Sequence, residues 1–243
     1  MYTDFHSHIL PGMDDGSTGV EMSIQMLRRE TAGGISRVVA TPHFYAQYED
    51  PETFLLRRNR AEKALRSAME SEQNMPELLV GAEVRYFRGI SEAEALPELA
   101  IRGTDSILIE LPDPPWTEAV CRELRDIREK RGLIPIIAHI DRYIGPLHGR
   151  KLPRLLQTLP VLVQANGTFF IKRSTAAMAR RLLKADQIHL LGSDCHDLTA
   201  RPPDLGEVFR RIGKKPGRGS VEAIQSYEAL ALTARKRGRE ENQ

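Results

Sequence analysis

Residues 133–139 read LIPIIAH, a short apolar run rich in isoleucine that ends on a histidine. Alternating apolar and polar residues would mark a half-exposed strand. A near-continuous run such as this one marks a strand buried on both faces. The same kind of stretch recurs as YTDF (2–5), ISRVVAT (35–41), ELLVGAEV (77–84), DSILIEL (105–111), PVLVQAN (160–166) and IHLLGS (188–193). Segments of helical spacing lie between them. Val20, Ile24 and Leu27 fall at i, i+4 and i+7, with Ser17 or Thr18 placed as N-cap and Gly33-Gly34 as the stop. Pro51 is placed to open a second helix running through RRNRAEKALRSAMES, and residues 116–131 form a third, closed by Gly132. Further helices are expected over 174–184, 204–211 and 220–235.

Strands alternating with helices predict a parallel sheet covered by helices. The chain has 243 residues, close to the roughly 250 of a β/α barrel. An open doubly wound sheet is the alternative, but no G-x-G-x-x-G follows the first strand. No linker, repeat or low-complexity segment divides the chain. One α/β domain is therefore expected over 1–235, with a basic and polar C-terminal tail, expected to be disordered, over 236–243.

Composition narrows the function classes. Hydrophobic content of 41% and charged content of 28% are those of a soluble globular protein. No apolar run approaches the roughly 20 residues of a membrane span, and MYTDFHSH lacks the pattern of a signal peptide. Cys121 and Cys195 are the only cysteines, which excludes a disulfide framework and fits a reducing cytoplasm. A net charge of +2 argues against general nucleic-acid affinity. The late basic clusters RRIGKKPGRG and ARKRGRE read as a solvated helix end and a tail.

The polar residues at strand ends carry the chemistry. His6 and His8 end the first strand, and His43 follows the second in ATPH. Glu83 lies late in the third and Glu110 late in the fourth. His139 closes the fifth, while Asp194 and His196 follow the seventh. In β/α barrels the C-terminal strand ends converge on one mouth, where active sites are built. Asp15, in the DDG turn after the first strand, reaches the same mouth.

Singly, each residue has a plain structural explanation. A lone histidine is commonly a hydrogen-bonded structural residue, and Asp14-Asp15-Gly16 reads as a turn. Glutamate in a buried strand is harder to explain, because an unpaired carboxylate is costly there. Jointly the plain explanation fails, since five of the seven histidines follow strands on one face. His148 and His189 lack that placement and are expected to be structural, His189 at the opposite end of its strand. Imidazoles and carboxylates without thiolates suit borderline divalent metals such as manganese (Mn²⁺), iron or zinc. The ligands are too many for one tetrahedral site, so two or three ions sharing carboxylates are expected.

GSDCHDLTARPP (192–203) offers a competing chemistry, because Cys195 and Arg201 have the C-x5-R spacing of thiol phosphatases. Such loops cradle phosphate with backbone N–H groups and rely on small residues. Here the intervening HDLTA has no glycine and contains an aspartate, and Asp194 would raise the thiol pKa. Cys195 is read as a small filler between two ligands.

Taken together, DFHSH (4–8) with DDG (14–16), then TPH, GAE, IELP, AHIDRY and SDCHD followed by Arg201, resemble the polymerase and histidinol phosphatase (PHP) superfamily. Within it the likeness is greatest to the bacterial tyrosine-protein phosphatases of capsule and exopolysaccharide operons. The motifs run from residue 4 to about 206 in the family's order. The resemblance implies a distorted (β/α)7 TIM-like barrel holding a trinuclear, manganese-favouring site. It implies one ion on His6, His8 and Asp194, and a second on His43 and His139 with Glu83 bridging the two. Asp15, Glu110 and His196 would belong mainly to the third. Arg142 and Arg201 would clamp the phosphate, and His196 would be at hand to supply a proton. Two departures bear on substrate: Ile140-Asp141 where the family has Pro-Glu, and FYAQYED (44–50) where a more basic segment is expected.

The expected reaction follows from these parts. Binding to dications lowers the pKa of water from 15.7 to about 7, and paired guanidiniums match phosphoryl oxygens. A phenol, with a pKa of about 10, leaves with less proton assistance than an alkoxide needs. The expectation is a phosphotyrosine phosphatase acting on a bacterial tyrosine kinase that governs polysaccharide export. Rival readings are a histidinol-phosphate or nucleotide phosphatase, and a non-catalytic barrel that binds metal or a partner. A nucleic-acid exonuclease fits less well, since no basic groove is evident.

Overall fold

The computed structural model describes residues 2–144, 155–214 and 218–233. The expected tail at 236–243, the end of the helix expected to reach 235, and His148 lie outside the described residues. The chain begins β1 (Tyr2–Ser7), α1 (Val20–Ala32), β2 (Ile35–Ala40), β3 (His43–Phe44) and α2 (Pro51–Met69). It continues β4 (Glu77–Val80), β5 (Glu83–Arg85), α3 (Leu96–Leu99), β6 (Ser106–Glu110), α4 (Glu118–Arg131) and β7 (Ile134–Ile137). The last described third contains β8 (Leu162–Asn166), α5 (Gly167–Ile171), α6 (Ala176–Lys184), β9 (Leu190–Gly192), α7 (Leu205–Lys214) and α8 (Arg218–Ala231).

Every named strand pairing is parallel. One set runs β1-β2-β4 and the other β3-β5-β6-β7-β8-β9. The two sets are joined, because β2 and β3 are successive parts of one extended stretch, as are β4 and β5. Residues 77–84 thus form two strands rather than the one expected. Pro42 offers no N–H to the ladder, and the sheet breaks beside it, at Thr41-Pro42 and Gly81-Ala82. The result is an α/β fold around a curled parallel sheet. At its ends, a parallel bridge joins Ser7 to Cys195, flanked by Asp194 N–H to His6 O at 2.8 Å and His8 N–H to Cys195 O at 2.9 Å.

The β1–β2 ladder pairs Asp4 with Val38 and Ser7 with Ala40, so β1 takes one extra residue there. Such bulges break the in–out alternation and re-aim side chains. This one falls at Phe5 and His6.

Helix ends follow local chemistry. Asp50 caps α2, accepting Thr53 N–H at 2.9 Å, with Pro51 in the first turn. Thr117 caps α4, which therefore starts two residues later than expected, and Gly132 ends it at φ +68°. Neither Ser17 nor Thr18 caps α1. Extended Gly19 holds that position, and Ser17 Oγ instead lies 2.8 Å from Ser23 Oγ. The helix expected at 174 begins at Ala176, while α7 and α8 span Leu205–Lys214 and Arg218–Ala231.

Helices cover one face of the sheet in the larger apolar core, which includes Leu27, Phe54, Leu65, Leu124 and Phe209. A smaller cluster joins Phe5, Val39, Leu108, Ile136, Leu162 and Leu190 from six strands, with Ala231 of α8 among them. Helix α8 is tied to the N-terminal strand ends. Ser106 Oγ donates to Ala231 O at 2.7 Å, and Glu228 Oε1 accepts Thr3 N–H at 3.2 Å. The opposite strand ends are left for polar side chains. No helix among the described residues is long and apolar enough to cross a membrane.

Candidate metal centre

The C-terminal strand ends gather the residues that the sequence singled out. His6 comes from β1, His8 from just after it, His43 from the start of β3 and Glu83 from the start of β5. Glu110 is the last residue of β6. His139 lies two residues past β7, and Asp194 and His196 follow β9. His139 and Asp194 adopt left-handed backbone at φ +30° and +54°, a conformation uncommon outside glycine and found where a side chain must be aimed.

Glu83 is the hub. Its Oε1 lies 2.8 Å from His139 Nε2. Its Oε2 lies 2.9 Å from His43 Nδ1, 3.2 Å from His6 Nε2 and 3.4 Å from His8 Nε2. Asp194 Oδ1 is 3.6 Å from His6 Nε2 and 3.5 Å from His8 Nε2. Asp15 Oδ1 is 3.3 Å from His196 Nε2 and 3.5 Å from His43 Nε2. Of four groups of donor atoms among the described residues that a metal ion could share, three lie here: His6, His8 and Asp194; His43, Glu83 and Glu110; and His8, Asp15, His43 and His196, with His139 outside all of them. The fourth is Asp4, Glu30 and Cys195.

These residues fit cations better than they fit one another. His6 Nε2 and His8 Nε2 face each other at 3.1 Å. His43 Nδ1, Glu83 Oε2 and His196 Nε2 are buried without a hydrogen bond, an arrangement that is costly unless something else satisfies them. Electrostatics agree. Burial alone would raise the carboxyl pKa of Glu83, but His6, His139 and His43 outweigh it and hold Glu83 well below the usual range. Asp194 is likewise depressed against its burial, by His6 and His8. For His8, burial is overcome by the hydrogen bond it donates to Asp14 and by the nearby Asp194 and Glu83 carboxylates, and its pKa rises well above the ordinary value. His6 is raised against its burial by Glu83 and Asp194. Two ionised carboxylates thus lie among imidazoles whose proton affinity they raise at His6 and His8, a concentration of negative charge that suits cations.

Both arginines reach this cluster. Arg142 Nη2 donates to Asp194 Oδ2 at 2.6 Å, and Arg201 Nη2 pairs with Asp194 Oδ1 at 2.7 Å. The guanidiniums are about two-fifths exposed while Asp194 is buried, so they stand between the cluster and solvent.

Several residues acting here were not singled out from sequence. Asp14 accepts from His8 Nδ1 at 2.7 Å and from His43 N–H at 2.9 Å, leaving His8 Nε2 to face the centre. Gln164 Oε1 accepts His139 N–H at 2.5 Å and lies 3.3 Å from His6 Nδ1. Asn166 donates to Asp194 Oδ2 at 2.9 Å, and Arg85 pairs with Glu110 at 2.9 Å. Asp14 was visible only as part of a turn, and Gln164 and Asn166 as polar interruptions of an apolar strand. His189 sits elsewhere: its Nδ1 accepts Val163 N–H at 3.0 Å, and its ring packs on Tyr227.

Cys195 is fully buried. Burial, followed by the nearby Asp4 and Glu30 carboxyls, pushes its thiol pKa well above the ordinary value. The N–H groups of Thr199, Ala200 and Arg201 are taken by the Asp197 carboxylate, so they form no phosphate cradle. The loop has the C-x5-R spacing without the apparatus of a thiol phosphatase.

A curled parallel sheet with imidazoles and carboxylates gathered at its C-terminal ends, and two arginines above them, defines an α/β protein with a candidate metal centre. The profile of the family described as capsular polysaccharide synthesis, CpsB/CapC, matches residues 2–233, and the chain belongs to that family. It is 30% identical over 224 residues to tyrosine-protein phosphatase YwqE of Bacillus subtilis, covering 88% of this chain and 85% of that protein. It is 28% identical to tyrosine-protein phosphatase CpsB of Streptococcus pneumoniae, covering 88% of this chain and 90% of the relative. The putative tyrosine-protein phosphatase CapC of Staphylococcus aureus is 27% identical, with coverage of 95% and 91%. Among solved structures, a chain from the crystal structures of B. subtilis YwqE and S. pneumoniae CpsB, metal-dependent tyrosine phosphatases, superposes with a TM-score of 0.83. That match has 26% identity and covers 95% of this chain and 94% of the other.

Proposed function

We propose that the chain is a metal-dependent protein-tyrosine phosphatase that acts in the cytoplasm on a bacterial tyrosine kinase governing capsule or exopolysaccharide synthesis. Its architecture is read as a distorted (β/α)7 barrel of the PHP type, supported by the Ser7–Cys195 bridge between the sheet's ends. The observation that carries the function is the convergence of Arg142 and Arg201 on Asp194, at the edge of the histidine and carboxylate cluster. Similarity to phosphatases named for the same activity supports it.

In this reading His6, His8 and Asp194 would hold one ion, and His43, His139 and Glu83 a second. Asp15, Glu110 and His196 would belong mainly to a third, although Glu110 also groups with His43 and Glu83. Manganese is favoured, with iron or zinc as alternatives. Bound there, divalent ions would supply Lewis acidity toward water and positive charge for the phosphoryl oxygens. The protein does the rest. Arg142 and Arg201 seat the phosphoryl group through forked N–H pairs. His196 has its pKa lowered to about 4 by burial and by His8 and Arg201, so it is neutral near pH 7, the form that ligates metal. Asp14 fixes the tautomer of His8 by occupying its Nδ1. A phenolate leaving group makes small demands on an acid.

The test is steady-state kinetics of the manganese-loaded chain on a phosphotyrosine peptide, histidinol phosphate and nucleotides. The expected result is a clear preference for the peptide, abolished by chelator and by His6→Ala. Preference for the small metabolites would move the assignment to a small-molecule phosphoesterase. Absence of any turnover would leave a metal-binding module.

A further inference from the structure

A cavity of about 650 Å³ opens beside the metal centre, with Asp15 and His43 of the centre in its wall beside Met13, Tyr45, Tyr48 and Arg57. Its aromatic wall comes from FYAQYED (44–50). The Tyr45 ring lies 5.1 Å from the His43 ring, and the Tyr48 ring meets Tyr45 edge-on at 6.0 Å. Tyr48 is 84% exposed, so packing in the core does not account for it.

The wall is held in place. Tyr48 N–H and Glu49 N–H both donate to Tyr45 O, at 2.9 and 3.2 Å. Arg57 grips Glu49 at 2.7 Å and Met13 O at 2.6 Å, tying this turn to α2 and to the loop after β1. Another cavity touching the centre is smaller, about 320 Å³, and holds Arg142 and the Arg85–Glu110 ion pair. Tyr143 there already packs on Trp116 and hydrogen-bonds Leu111.

We propose that Tyr45 and Tyr48 seat the aryl ring of the substrate, so that the site selects aryl over alkyl phosphate monoesters. The inference rests on the phosphatase reading and adds to it the residues that set specificity. With the phosphoryl group on Arg142 and Arg201 and the ring against two tyrosines, contact is made alike in ground and transition states. Its loss therefore raises KM more than it lowers kcat.

The experiment uses the manganese-loaded chain and two readouts. The first is calorimetric binding of phenylphosphonate against methylphosphonate. The second is the ratio of kcat/KM for a phosphotyrosine peptide to that for the phosphoserine peptide of the same sequence. Tyr48→Ala and Tyr45→Ala are expected to reduce the phenyl-over-methyl preference and the aryl-over-alkyl ratio about 5- to 10-fold. Tyr48→Phe and Tyr45→Phe, which keep the ring, are expected to retain both. An unchanged preference in both alanine variants, or equal weakening of both phosphonates, would overturn the proposal. If wild type turns over neither peptide, the phosphatase reading fails, and the phosphonate preference still decides whether a ring is seated.

Discussion

Asp14 and Asp15 are neighbours in one turn and have separate tasks. Asp15 faces His43 and His196 with a largely exposed carboxylate, whereas Asp14 is mostly buried against His8 and the His43 backbone. Burial would raise the Asp14 carboxyl pKa, but the hydrogen bond and charge of His8 outweigh it and hold the group well below its usual range. Asp14→Asn is therefore expected to weaken metal binding about 10- to 100-fold, read as metal retained after dialysis. Cys195→Ser, by contrast, is expected to keep metal content and most activity, and wild type to resist thiol alkylation, because the thiol is buried and protonated. The place of Glu83 among the histidines was legible in the sequence because a carboxylate in an apolar strand demands a partner. Asp14 and Gln164 were not, because their roles depend on which histidine the fold sets beside them.

Packing between elements bears on the same residues. A methyl group added at Gly192 of β9 would lie 2.5 Å from His6 Cβ and 2.6 Å from Gln164 Nε2, so the close approach of these two side chains to β9 requires glycine there. Gly192→Ala is expected to cost about 1–3 kcal/mol by overpacking. Because His6 must shift, it should also reduce metal content, with a chemical melt and metal analysis giving the two readings. The strands were legible because burial on both faces leaves continuous apolar runs. The break beside Pro42 was not, since it depends on losing one donor between paired strands. Helix starts at Gly19 and Thr117 escaped for a similar reason: several residues in each stretch are fit to cap, and tertiary contacts select among them.

For the molecule as a whole, stability is tied to metal and to pH. Cations that bind the folded centre and not the unfolded chain stabilise by about 2.7 kcal/mol at a hundredfold excess over Kd. Manganese should therefore raise the Tm by roughly 5–10 °C, and chelator should reverse the rise. Away from the centre, burial raises the Glu228 pKa from 4.5 to about 7. A raised carboxyl pKa means the fold favours the neutral form, so this contribution is complete below about pH 4.5 and is lost as pH climbs through about 7. Glu228→Gln should thus melt higher than wild type at pH 8, with the gap shrinking toward pH 5. That α8 packs against the starts of β1 and β6 was beyond the sequence, which marked the helix without its docking place.

The contact between the sheet's two ends also governs the order of events during synthesis. Ser193 and Asp4 are 189 positions apart, and the ribosome delivers about 5–20 residues each second. The first strand must wait roughly 10–40 s for its partner, with one row of backbone donors and acceptors open to any other strand it meets. Closing so long a loop is also a slow step once the chain is complete. The nascent N-terminal strand thus keeps one edge unpaired until β9 is made, and the donor set of His6, His8 and Asp194 is complete only then.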